Sequence, residues 1–126
     1  MRSVNRPDDP AYARFGFDAA REYPASELQL VTSGQTGDPR ADLGGQVAGA
    51  LDAVAGLLGL AGYTLADVTR LGIFTTDVEE FVAQWPAIRA RFEPHAVPPN
   101  TLVQVARFAH PSVQVEIEAS AVRGAR

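Results

Sequence analysis

Neither cysteine nor lysine occurs in this chain of 126 residues. Without Cys there is no disulfide, no thiolate nucleophile and no thiolate metal ligand. Without Lys there is no Schiff-base amine, and all 11 basic residues are Arg. The two histidines, His95 and His110, stand far apart beside loop-type residues and cannot by themselves build a His-rich metal site. No loop has the ligand spacing of a calcium or magnesium site. The net charge of -4 works against nonspecific nucleic-acid binding, which needs Lys and Arg to neutralise phosphates. The opening MRSVNRPDDP has no apolar segment of signal type, and no run reads as long enough to span a membrane. The expectation is a cytoplasmic protein with no membrane and no nucleic-acid partner. The length suits one core. Residues 1–10, polar with two prolines, read as an extended N-terminal arm, and 11–126 as a single domain.

What is present is strongly patterned. The stretch from Asn100 to Val122 reads NTLVQVARFAHPSVQVEIEASAV. Val113, Val115, Ile117, Ala119 and Ala121 alternate with Gln114, Glu116, Glu118 and Ser120, the period of two of a strand. Before Ala109-His110-Pro111-Ser112 a second apolar run carries Leu102, Val103, Val105, Ala106 and Phe108. The turn-forming interval predicts an antiparallel hairpin. Glu116 and Glu118 share a face. A carboxylate on a covered strand face needs donors or a polar cavity; the alternative is that both meet water or pair with Arg, as Glu118 with Arg107.

Further back, Tyr12, Phe15 and Phe17 predict a first strand over 11–21, paired as a hairpin with a second over 27–33. Leu43, Val47, Ala50, Leu51, Val54, Leu57 and Leu58 fall on one helical face behind Asp42 as cap, and Gly62 ends that helix. A short turn at 64–67 leads to a strand over 68–76. Asp77, with Glu80 three residues on, starts a second helix through Phe81, Trp85, Ile88 and Phe92, which Pro86 must kink or restart. The order is β-β-α-β-α-β-β. Two helices cover one face of such a sheet, so the apolar residues on the other face call for a second copy of the chain.

The segments SGQTG (33–37), ALDAVAGLLGLAG (50–62), LADVTRLGIFTTDVEEF (65–81) and VQVARFAHPSVQVEIEA (103–119) resemble the Rid family, also called YjgF/YER057c/UK114. The resemblance covers roughly residues 12–123 and leans toward the divergent subgroups. It implies an α+β, chorismate-mutase-like (YjgF-like) fold, a mixed sheet with two helices packed on one face. It also implies a homotrimer with ligand clefts between subunits, and hydrolysis of 2-imino or 2-enamino acids with no metal and no organic cofactor. In the active branch a Pro-Ala-Arg run supplies an arginine that grips the substrate carboxylate as a planar fork. Here that position is Asn100, in Pro98-Pro99-Asn100. Three more pocket positions differ: Trp85 stands where the branch has Asn, Leu102 where it has Cys, and Phe17 where it has Tyr. Glu116 matches the carboxylate that orients the attacking water, and Ser33 and Gly34 match the loop lining the cleft. The resemblance thus makes Glu116 and Ser33 the catalytic candidates, and Phe17, Gly34, Trp85, Asn100 and Leu102 the substrate-binding ones. The expectation is an imine, enamine or activated-carbonyl hydrolase for a bulkier ligand without a free carboxylate. The alternative is a non-catalytic metabolite-binding trimer. The acidic balance and the absence of Lys argue against ribonuclease activity.

Overall fold

The computed structural model describes residues 1–124; residues 125 and 126, the end of the expected domain, lie outside the described residues. In chain order come β1 (Arg2–Val4), α1 (Pro10–Phe15), β2 (Ala20–Glu22), β3 (Leu28–Val31), α2 (Leu43–Leu60), a 3-10 turn (Leu65–Asp67), β4 (Val68–Thr75), α3 (Val78–Val82), α4 (Trp85–Phe92), β5 (Asn100–Gln104) and β6 (Val115–Arg123). The fold is the expected α+β arrangement. A mixed sheet in the order β3-β6-β4-β5 carries its helices on one face, and β1 and β2 form a separate ribbon.

The closing hairpin expected from Asn100–Val122 does not form. β4 inserts between its two halves, parallel to β5 (Ile73 opposite Leu102) and antiparallel to β6 (Ile73 opposite Ile117). β4 is buried along most of its length, which favours the centre of the sheet. Proximity in sequence lost to burial. The N-terminal hairpin is also absent. Asp9 caps α1 by accepting from the Ala11 amide at 3.0 Å, Pro10 sits in the first turn, and Gly16 ends the helix at φ 70. The expected first strand is therefore a helix followed by β2, which pairs with β1 (Ser3 opposite Arg21). β3 pairs instead with β6.

α2 forms as its spacing predicts. Asp42 accepts from the Gly45 amide at 2.8 Å, and Leu43, Val47, Ala50, Leu51, Val54 and Leu58 are buried on the sheet, whereas Leu57, expected on the same face, is 37% exposed. Full burial of each large side chain contributes about 1.5–3 kcal/mol, enough to offset the ~1 kcal/mol cost of each interior glycine. α2 is long and apolar enough by composition to cross a membrane, contrary to the expectation, yet its apolar stripe faces the protein core. The second expected helix is broken into α3 and α4, with Pro86 in the first turn of α4, where a missing N–H costs least.

Strand register sorts the side chains. Ile73, Ile117 and Leu102 lie on the helix side, and Asn100, opposite Leu71, shares it. Phe74, Glu116 and Val103 lie on the other side, with Gly72 and Glu118 beside them. Among the described residues no helix covers that second face, and Val31 (75% exposed) and Val103 (40%) stand out on it.

Candidate functional site

The seven candidate residues fall into two groups on opposite faces of the sheet. On the helix side, at the β5 edge, Phe17, Trp85, Asn100 and Leu102 line one cavity of about 240 Å³ together with Phe15 and Val82. Its walls are mostly apolar, and three of the six lining residues are aromatic. The Trp85 ring meets Phe15 edge-on at 5.8 Å and 80°, and Phe17 at 6.2 Å and 77°, while Phe15 and Phe17 lie nearly parallel at 6.1 Å. Trp85 is fixed because its indole N–H donates to the Phe15 carbonyl at 2.7 Å. Phe17 is fixed by a parallel bridge to Val97, with Val97 N–H on the Gly16 carbonyl (2.9 Å) and Asp18 N–H on the Val97 carbonyl (2.8 Å). Trp85 therefore forms a wall of the cavity and does not fill it. Among the described residues no charged side chain lines it; the Trp85 N–H is committed to Phe15 and the Asn100 Nδ2 to the Pro98 carbonyl, which leaves Asn100 Oδ1 as the side-chain acceptor of the wall.

On the open face, Gly34 meets the Glu116 side chain, and its neighbour Ser33 accepts from Gln35 Nε2 through its carbonyl (3.1 Å) and its Oγ (3.5 Å). The loop after β3 is pinned at two points on β6. Thr32 exchanges bonds with Ala119 (N–H to carbonyl 2.9 Å, Ala119 N–H to Oγ1 3.0 Å), and Gln35 exchanges two with Ile117 (2.8 and 3.0 Å). Ser33 and Gly34 span the interval, and a Cβ placed on Gly34 would overlap the Glu116 carboxylate. Glu118 stands one pleat further along β6 over Gly72. Neither glutamate has an ion-pair partner among the described residues, and Arg107 donates to the Phe108 carbonyl rather than to Glu118. Both carboxylates are partly exposed, which fits the reading that they meet water. Among the described residues no group of three or more His, Asp or Glu side chains is placed to hold a metal ion.

Sequence reasoning missed Phe15 and Val82 as cavity walls. Phe15 was assigned to a strand, and the Asp9-Pro10 helix start was the signal that would have placed it. It also missed Asp18, which is 1% exposed and anchors the N-terminal ribbon beside Phe17. Its carboxylate accepts from Ser3 Oγ (2.6 Å), Asn5 Nδ2 (2.8 Å) and Arg21 Nε (2.7 Å), and Arg21 also donates to the carbonyls of Val68 and Ala96. Burial pushes the Asp18 pKa up, but these donors and the Arg21 charge outweigh it and hold it below the ordinary 3.8.

A four-stranded mixed sheet with helices on one face, an aromatic cavity at its edge and a carboxylate shelf on its bare side defines a small α+β protein of the YjgF type. The family described as Endoribonuclease L-PSP matches residues 18–123. A 2-iminobutanoate/2-iminopropanoate deaminase of Escherichia coli (strain K12) is 33% identical over 102 residues, 75% of this chain and 79% of the relative. Among solved structures, YyfB of Yersinia pestis, a Rid-family protein of unknown function, aligns at a TM-score of 0.84 with 28% identity, over 97% of this chain and 98% of that one. Escherichia coli TdcF with bound serine aligns at 0.67 with 28% identity, over 84% and 92%. The chain belongs to the Rid (YjgF/YER057c/UK114) family.

Proposed function

We infer that this chain works in the cytoplasm as a homotrimer whose inter-subunit clefts hydrolyse an imine, enamine or activated carbonyl compound without a free carboxylate. The observation that carries this reading is the separation of the candidates. The cavity of Phe17, Trp85, Asn100 and Leu102 and the shelf of Ser33, Gly34 and Glu116 lie on opposite faces of one sheet. One chain cannot close them on the same small molecule; a neighbouring copy that lays its open face against this cavity can. The uncovered face with Val31, Val103 and Phe74 is the surface such a copy would bury. The naming of the E. coli relative as an imine deaminase, and of TdcF as a serine complex, supports small amine-derived ligands.

In that cleft the aromatic walls hold the body of the substrate with its C=N carbon toward Glu116 of the neighbouring copy. The carboxylate takes a proton from water as the oxygen bonds to that carbon and the C=N electron pair moves to nitrogen. Return of that proton to nitrogen gives the carbinolamine R2C(OH)NH2. The same carboxylate then takes the hydroxyl proton and passes it to nitrogen as C=O forms and the C–N bond breaks, so that R2C=NH and H2O give R2C=O and NH3. Ser33 and Gly34 line the approach of the water. Asn100 lacks the charge and the planar fork by which an arginine would hold a carboxylate, a loss of about 1.5–3 kcal/mol for a carboxylate ligand.

The test compares two imines. 2-Iminopropanoate is made in situ by an amino-acid oxidase and followed as the semicarbazone. A carboxylate-free imine is made from an arylalkylamine by a flavin amine oxidase and followed by ammonia release. The expected result is acceleration of the second only, with Asn100→Arg gaining the first. Strong action of the native chain on 2-iminopropanoate contradicts the carboxylate-free reading. The missing cation favours one other reading, a non-catalytic metabolite-binding trimer; saturable binding with no turnover of either imine would establish it.

A further inference from the structure

We propose that Asn100 selects a ligand whose end group is an uncharged carboxamide-type donor and acceptor, not an acid. The proposal rests on the cavity being the ligand site, as inferred above, and names what enters it. The Asn100 Nδ2 donates to the Pro98 carbonyl at 3.0 Å. The flipped amide would set two oxygens against each other at that distance, so the orientation is fixed by its partner. What remains is Oδ1, which accepts no bond from the described residues, and the second hydrogen of Nδ2. The other polar side-chain group of the wall, the Trp85 N–H, is spent on the Phe15 carbonyl. The wall therefore offers one acceptor and at most one donor, both neutral, in a half-open and largely apolar cavity of about 240 Å³.

An incoming carboxylate would face the Oδ1 lone pairs and lose its hydration against Phe15, Phe17 and Leu102 with no countercharge. A primary carboxamide satisfies Oδ1 with an N–H and needs no countercharge. The substrate class is then an aryl- or alkyl-substituted 2-imino amide, R–C(=NH)–C(=O)NH2, which water converts to R–C(=O)–C(=O)NH2 and NH3. Two cations lie nearby: the Arg14 guanidinium sits 4.8 Å from the centroid of the Phe15 ring, and the Arg89 guanidinium packs against Gly16, the residue between Phe15 and Phe17. Both lie outside the cavity wall, and the test includes both.

Trp85 is the only tryptophan of the chain and a wall of the cavity, so its emission reports occupancy directly. Phenylacetamide and phenylacetate are titrated against the intact oligomer by Trp85 emission and by calorimetry. The wild type is compared with Asn100→Arg, Asn100→Leu, Arg14→Ala and Arg89→Ala. The expected result is about tenfold or greater preference for the amide in the wild type. The preference inverts in Asn100→Arg, disappears in Asn100→Leu and is unchanged in Arg14→Ala and in Arg89→Ala. Preference for phenylacetate, whether or not Arg14→Ala or Arg89→Ala abolishes it, overturns the proposal while leaving the cavity as the ligand site. An amide preference that survives intact in Asn100→Leu overturns it too. Silence of both ligands toward every variant overturns the cavity itself as the site, and the proposal with it. Failure of the hydrolase reading shows separately, as absence of turnover, because this titration requires none.

Discussion

Gly34 is the residue on which the carboxylate side of the site depends. A side chain there would occupy the space that the Glu116 carboxylate now fills. Gly34→Ala should therefore displace Glu116 while leaving the surrounding bonds of Thr32 and Gln35 to β6 in place. The expected outcome is a fall in carboxylate-free imine hydrolysis approaching that of Glu116→Gln, about 100-fold or more for loss of a general base, with little change in melting temperature. Unaltered rates in Gly34→Ala would show that Glu116 takes no part. The spacing of Glu116 and Glu118 was legible in the sequence as one face of a strand. The family resemblance places Gly34 and Glu116 each at the cleft, but their contact is visible only in the structure, since the two stand far apart in the chain and only the sheet joins them.

Elements were legible where a local signal and burial agreed. α2 is such a case. Asp42, the apolar stripe and Gly62 all lie within one window, and each has its predicted place except Leu57, which is exposed. Asp42→Ala should lower stability by about 1 kcal/mol, read as a shift of the denaturant midpoint; no shift would mean that the bond to Gly45 carries nothing. Where several partners compete for one strand edge, local reading fails. Val113–Ala121 and Leu102–Phe108 look like a hairpin until β4, apolar enough to take the centre, separates them. The N-terminal aromatics suggest a strand because Phe15 and Phe17 alternate. The bond from Asp9 to Ala11 and the turn at Gly16 override that pattern, and as a result Phe15 reaches the cavity. Asp18 could not have been singled out, because its partners Ser3, Asn5 and Arg21 converge only after the ribbon folds back.

At the scale of the whole molecule, Asp18 links pH to stability. Its carboxyl is held below the ordinary 3.8 in the folded protein. Its contribution is therefore complete above that value and is lost as pH falls through the lower folded value. Removing the partner of buried Arg21 by Asp18→Ala should cost on the order of 3–5 kcal/mol near neutral pH. Asp18→Asn should flatten the acid limb of the stability profile measured by urea unfolding; an unchanged limb would remove Asp18 from the account. The larger question is how two half-sites on opposite faces of one sheet become one site. If each cleft takes its aromatic cavity from one copy and its Glu116 from the next, two inactive chains can restore each other. Val82→Trp fills the cavity, Glu116→Gln removes the carboxylate, and the two are co-expressed in equal amounts with distinct tags. In a ring assembled at random, about one quarter of the clefts join an intact cavity to an intact Glu116, so the mixture should recover about a quarter of wild-type imine hydrolysis while each variant alone has almost none. Mixed oligomers that are isolated and remain as inactive as their parents would contradict the account.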